Sequence, residues 1–547
     1  MDNMRMILFA ALGFVMLSLW QAWQKDYAPK PEPAVAEQPI SGTEEKNITN
    51  DSKTEDLPVP VSNDQPVFTE QETIEKKNGQ RITVETDVID VVIDTNGGDL
   101  RELALKKYPV DSDKPDLPIE LFNDTNGKFY ASQGGFLSKQ PAANHHSLYQ
   151  TTNTEYTLAE GQNKLEVVLT WSEKGIQVEK VFTFRRGEYL IDVAYRIKNN
   201  SHENWSGRFY EQLQRKHGKE HRKRLPTFTG GAISTPEKRY EKIKFKNMAA
   251  EPVSKKVKNG WIAMIQHYFV SALIPDKEKT YHFYSKVLEN DHYVLGLYGP
   301  QINVAPGQVQ EAKIKVYAGP KEQKILKKVA PGLELTTDYG VLWFIAKPIF
   351  WLLSKIHSLV GNWGWSIILV TVVIKAILFP LSAMGYKSMA RMRKVTPRMT
   401  AIRERYSNDK ARMNQAMMEL YKTEKINPLG GCFPILVQIP VFLALYWVLL
   451  ESVEMRQAPF MLWIQDLSIK DPLFILPLIM GISMFVQQKL NPPPPDPVQA
   501  KVMQFLPVIF TAFFAFFPAG LVLYWVTNNI LSIFQQWTIT KQIEAAK

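Results

Sequence analysis

One lysine stands among residues that offer it little solvent. Lys375 follows the run Ile367-Ile368-Leu369-Val370-Thr371-Val372-Val373-Ile374. A cation inside an apolar span costs about 2.5–3.5 kcal/mol on insertion scales unless it meets water or a partner. Snorkelling is the plain alternative, because Lys375 lies six residues from Leu381, roughly 9 Å along a helix. Its company argues against isolation. Thr371 sits one turn away on the same helical face, and Gln438, Ser483, Gln487, Thr511 and Asn528 interrupt other apolar stretches. None of those stretches supplies an Asp or Glu to neutralise the lysine. A cation surrounded by neutral polar groups suits attraction of an anionic group, either an acidic stretch of polypeptide or a small anionic solute.

Other chemistry finds no residues to carry it. Cys432 is the single cysteine of the 547 residues, which excludes a disulfide framework or a multi-cysteine metal site. The histidines, including His145-His146 and His217, show no ligand spacing. No Walker A sequence and no nucleophile–base arrangement stand out. The expectation is a protein without catalytic residues, metal or cofactor, and therefore not an enzyme.

The elements that must hold Lys375 follow from hydropathy and charge. The net charge is +10, with 45% hydrophobic and 22% charged residues. Beyond residue 340 there are 20 basic and 10 acidic residues, which accounts for the whole surplus. Positive charge placed among long apolar runs marks a membrane protein; nucleic-acid binding does not require such runs. Apolar spans are expected at Trp363–Leu381, Cys432–Leu450 and Pro472–Lys489, and Val502–Ile539 is long enough for two. Pro518-Ala519-Gly520 divides that last stretch into a hairpin. With Met6–Trp23, read as an uncleaved signal anchor because no small-x-small cleavage site follows it, the total is six transmembrane helices.

The segment 383–430 carries eleven basic and four acidic residues, so the positive-inside rule places it in the cytoplasm. Counting spans puts both termini inside and the domain after the anchor outside. Met389, Met392, Met399 and Ile402 recur at helical spacing, as do Met413, Met417, Leu420 and Tyr421, with Ser407-Asn408-Asp409 between them. Two antiparallel helices follow, with Arg403 among the basic residues of the first. Their methionines form either a seam between the helices or a surface that accepts varied apolar partners.

From about 66 to 335 the period changes to two. Arg81–Thr86, Lys164–Leu169, Ile176–Val181 and Tyr189–Val193 alternate, the signature of a large antiparallel β-sandwich. Within it Arg215–Arg224 is a basic run, read as a solvated loop or as a contact for anionic lipid or a partner. Residues 25–65 are too polar to bury a core and read as a disordered tether. Residues 341–360 suit an amphipathic helix in the membrane interface. The organisation is thus an α+β membrane protein: 1–24 anchor, 25–65 linker, 66–335 β-domain, 341–360 interfacial helix, and 361–547 five-helix core with the hairpin 383–430.

In that core the polar residues lie toward the cytoplasmic side, whereas Trp447, Phe513, Phe514, Phe516, Phe517, Tyr524 and Trp525 lie outward. The pattern describes a hydrophilic groove open to the cytoplasm and closed above, not a pore. Asn427-Pro428-Leu429-Gly430-Gly431-Cys432-Phe433-Pro434, followed by Gln438 and Pro440, resembles the signature of YidC-type membrane insertases. So does Phe517-Pro518-Ala519-Gly520-Leu521-Val522-Leu523-Tyr524-Trp525. The resemblance spans essentially the whole chain and implies the Gram-negative type, with a β-supersandwich outside the inner membrane. It implies insertion, folding and assembly of nascent membrane proteins in the lipid bilayer, alone or with the Sec translocon. The ribosome and signal-recognition machinery are implied as further partners. By the same resemblance Lys375 takes the place of the family's groove arginine, and Thr371, Gln438 and Thr511 match groove-lining positions. Tyr524 and Trp525 match substrate-contacting aromatics. Lysine keeps the charge and loses the bidentate fork, and Trp525 stands where the family has a second tyrosine. An anion transporter built on Lys375 is the alternative, although no internal repeat supports it.

Overall fold

The computed structural model describes residues 57–58, 79–217, 227–424, 433–491 and 497–545. The expected signal anchor, the tether apart from Leu57 and Pro58, most of the basic run after Arg215 and the motif Asn427–Cys432 lie outside the described residues.

Between Arg81 and Pro320 the chain forms two sheets, one of ten strands and one of nine. Alternation works as expected where one face is wet. In Arg81–Glu85 the side chains of Ile82 and Val84 are buried and their neighbours exposed. Every named strand pair is antiparallel except Arg81–Glu85 against Glu155–Thr157. The inner faces share one core, in which Ile93, Leu103, Phe136 and Phe209 meet Val178, Ile191, Ile197 and Val316. Tyr130–Leu137, by contrast, is buried at every position. Its outer face is covered too, partly by the loop that brings the His145 backbone N–H to the Tyr210 hydroxyl at 3.2 Å. Leu57 packs against that outer face and Pro58 is buried, so the polar tether touches the domain at those two residues.

The remaining described chain is helical: α1 (Gln323–Val329), α2 (Trp343–Val360), α3 (Trp363–Ile377), α4 (Phe379–Arg405), α5 (Lys410–Thr423), α6 (Phe433–Glu451), α7 (Ile475–Leu490), α8 (Pro497–Phe514) and α9 (Ala519–Ala545). The apolar run expected to continue to Leu381 stops at Ile377, and α4 leaves at 69°. Pro380 supplies the reason, since it cannot donate to the Ala376 carbonyl and its ring crowds that oxygen. Among the described residues no single helix is long and apolar enough to cross a membrane alone, while α3 and α4 together are, by length and composition. The outward faces of these helices are nonetheless oily. Leu369, Val372, Val373 and Ile377 on α3, Leu478, Ile482, Phe485 and Val486 on α7, and Phe505, Val508, Ile509 and Phe513 on α8 are all exposed. Stripes of that size are stable only against lipid or another chain.

Helix α4 runs unbroken from this bundle into the hairpin with α5. Asp409 caps α5 by accepting from the Arg412 N–H at 3.0 Å, which meets one of the orphan donors of its first turn. Val395, Met399, Met417 and Tyr421 close the hairpin seam, with Met392, Ile402 and Leu420 beside them. Met389 and Arg403 are half-buried, and Met384 and Met418 are exposed. Helix α2 buries Ala346, Ile349, Phe350 and Leu353 and exposes Trp343, Phe344 and Trp351.

The β-domain is fastened to the C-terminal end of α6 and to the loop that follows it. Lys321 Nζ pairs with Glu451 Oε2 at 3.1 Å, the two side chains only 2% and 7% exposed. The same ammonium donates to the Thr336 carbonyl at 3.1 Å. His267 Nε2 contacts the Leu450 carbonyl at 2.9 Å, and Arg456 and Gln457 donate to the Pro109 carbonyl.

Candidate functional site

Helix α9 organises the site. Tyr524, Asn528, Ser532 and Gln536 recur every four residues, which aligns them on one face over about 18 Å of helix. All four are buried. Facing them, α3 presents Lys375 and α6 presents Gln438. The lysine ammonium donates to Ser532 Oγ at 2.7 Å and to Gln438 Oε1 at 3.1 Å. Gln438 Nε2 donates in turn to Asn528 Oδ1 and, at 3.4 Å, to the Tyr524 hydroxyl. Ser532 Oγ donates to the Asn528 carbonyl at 2.7 Å. The five side chains form one connected network from α3, α6 and α9.

Burial makes this network a packed seam. Lys375 is 4% exposed, and neutral oxygens occupy positions that water takes around an exposed ammonium. Among the described residues no carboxylate pairs with it. Two charge-assisted hydrogen bonds of about 1.5–3 kcal/mol each offset much of the cost of enclosing the ammonium. The positive charge itself remains uncompensated.

The other expected residues sit around the seam without joining it. Ser483 on α7 accepts from Asn529 Nδ2 at 3.0 Å and donates to the Met480 carbonyl, which ties α7 to α9 beside the network. Thr371 is buried, and its hydroxyl donates to Ile367 of its own helix at 2.6 Å. Thr511 likewise donates to the Pro507 carbonyl at 2.7 Å. Its methyl and hydroxyl press on Gly481 of α7, where an added Cβ would lie 2.1 Å from Oγ1. Ser532 and Gln536 escaped the sequence reading, although their four-residue spacing from Asn528 was visible.

Above Gln438 the seam ends in rings. Phe442 lies 4.6 Å from Trp525 and 6.2 Å from Tyr524, and Phe514 lies 5.2 Å from Trp525 and 5.1 Å from Phe517. Stacked, edge and tilted contacts of this kind favour a stiff apolar plug. Polar side chains thus occupy one end of the bundle and aromatic ones the other.

Both parts of the chain match known families. Residues 81–352 match the family model described as YidC periplasmic domain, and residues 355–546 match the one described as 60Kd inner membrane protein. A relative from Methylococcus capsulatus, named membrane protein insertase YidC, is 52% identical over 549 residues, covering 100% of this chain and 99% of its own. The chain belongs to the YidC family. A relative of the same name from Pseudomonas fluorescens is 49% identical, again over 100% and 99% of the two chains. A solved structure described as an active YidC insertase aligns over 84% of this chain and 92% of its own, at 19% identity and a TM-score of 0.39. The fold is that of the family: a large β-rich periplasmic domain followed by a helical C-terminal part.

Proposed function

We propose that this inner-membrane protein inserts nascent membrane proteins by admitting their polar segments between α3, α6 and α9, where Lys375 stands. It is a membrane protein insertase of its family and works without an enzymatic step. The observation that carries the mechanism is the buried, uncompensated charge of Lys375, held by Gln438 and Ser532. An ammonium has three donors, and those two partners take two of them. A carboxylate of an entering polypeptide takes the third and supplies the missing countercharge. As the seam parts, its hydrogen-bonding groups serve the polar segment, which lowers the desolvation cost of leaving the cytoplasm.

The apolar segment of the client meanwhile slides along the exposed stripes of α3, α7 and α8 into lipid. Burial at about 25 cal/mol per Å² of apolar area provides the driving force. The aromatic plug of Phe442, Phe514 and Trp525 keeps the groove from becoming a pore. Six spans, both termini in the cytoplasm, α2 in the outer interface and the hairpin α4–α5 in the cytoplasm complete the arrangement. The hairpin is where the ribosome or signal-recognition machinery would approach, and the Sec translocon would hand over longer clients at the lipid-facing stripes. The transporter alternative gains no support from relatives named as insertases over the full chain.

Reconstituted liposomes test the electrostatic step. Lys375→Arg should insert a client with an acidic translocated segment at close to the wild-type level. Lys375→Glu should lower it at least several-fold and spare a client whose segment is neutral. Equal insertion of the acidic client by the wild type and Lys375→Glu would refute the role of the charge.

A further inference from the structure

The outer face of the ten-stranded sheet carries a cluster of tyrosines. Tyr210 and Tyr298 are paired across adjacent strands, and Tyr284 lies opposite Gly296 on the next pair. A Cβ at Gly296 would fall 2.5 Å from the Tyr284 hydroxyl, so only glycine lets that ring lie flat across the sheet. Tyr284 is anchored there by donating to Gln212 Oε1 at 2.7 Å. His282 stacks on Tyr298 at 4.8 Å. Tyr210, Tyr284 and Tyr298 form, with Leu137 and Val294, an apolar cluster separate from the sandwich core.

The tether reaches that cluster at Leu57. Leu57 packs against it and Pro58 is buried. They belong to Asp56-Leu57-Pro58-Val59-Pro60-Val61-Ser62, an apolar, proline-containing island within a segment otherwise rich in charged and polar residues. Prolines hold such a sequence extended before it binds, so little chain entropy is lost on docking, and aromatic-lined grooves recognise it for that reason.

We propose that this tyrosine cluster floors a docking groove for the chain's own linker, which it holds at Leu57. Because the linker is covalently attached, its effective concentration at the groove is of millimolar order. It therefore keeps the groove filled against free peptides of the same kind.

The full chain in lipid nanodiscs tests this with a fluorescent peptide of the sequence Asp56–Ser62. The variant Leu57→Asp/Pro58→Asp lies in the linker and leaves the sheet intact. It should bind the peptide at least roughly ten-fold more tightly than the wild type, whose groove is already taken. Adding Leu288→Asp at the half-buried rim, or Tyr298→Ala on the floor, should abolish that gain. Failure of the linker variant to bind the peptide would overturn the proposal, and so would equal binding by wild type and variant. Neither outcome depends on insertion activity, so the result is separable from the mechanism assigned to Lys375.

Discussion

Removing one partner of the Lys321–Glu451 pair should loosen the β-domain from the helices. Both side chains are almost wholly buried at 3.1 Å separation. Truncating either leaves the other charge enclosed without its partner, a loss of about 3–5 kcal/mol. Among the described residues Lys321 keeps only the Thr336 carbonyl once Glu451 is gone, and a neutral carbonyl does not replace a carboxylate. At roughly 2–4 °C per kcal/mol for a cooperative unit of 150–250 residues, Lys321→Ala or Glu451→Ala should lower the melting temperature by about 6–20 °C. The double variant Lys321→Met/Glu451→Leu removes both charges while retaining volume and should recover most of that loss. Thermal scans of the four proteins in one detergent, followed by tryptophan fluorescence, compare these losses. The reasoning fails if either single variant melts within a degree or two of the wild type, or if the double variant is no better than the worse single one.

Three further outcomes follow from neighbouring observations. A deletion of residues 81–319 should leave basic insertion working because it spares Lys321, whereas one extended through residue 330 strands Glu451 and should yield several-fold less folded protein, read by fluorescence size-exclusion chromatography. Burial raises the Glu454 carboxyl to about 7, with Glu322 reinforcing the shift. The folded state then holds a proton that the unfolded state releases, so stability falls as pH rises from about 4.5 to about 7 and levels above it, by at most about 3 kcal/mol. Glu454→Gln should flatten that decline, and an unchanged slope in pH-dependent melting would exclude this residue as its source. Gly481→Ala should cost about 1–3 kcal/mol by driving α7 off Thr511, and a second change, Thr511→Ala, should restore most of the loss in the same melting assay.

Much of the helical part was legible because lipid imposes simple demands. Apolar runs, the charge surplus of 383–430 and the break at Pro518-Ala519-Gly520 are local properties of the chain. The turn at Ser407-Asn408-Asp409 and the helical faces that carry Met399 and Met417 follow from helical spacing alone. The bend after Ile377 could have been read from Pro380, but hydropathy averaged over a window conceals a single missing donor. Alternation located strands with one wet face, such as Arg81–Glu85. It failed for Tyr130–Leu137, because a strand covered on both sides has no polar face to alternate with.

The site divides in the same way. Composition alone required that Lys375 find polar company, since a bare ammonium in hydrocarbon is too costly to keep. Which groups answer is a matter of helix rotation and crossing. Those place Gln438 and Ser532 within reach of the ammonium and turn the hydroxyls of Thr371 and Thr511 back onto their own helices. The tether shows the other side of this dependence. Its composition excludes a core of its own, yet Leu57 can pack against the cluster of Tyr210, Tyr284 and Tyr298 only because distant strands bring those rings together. Short-range chemistry decides what each segment needs, and long-range packing decides where the need is met.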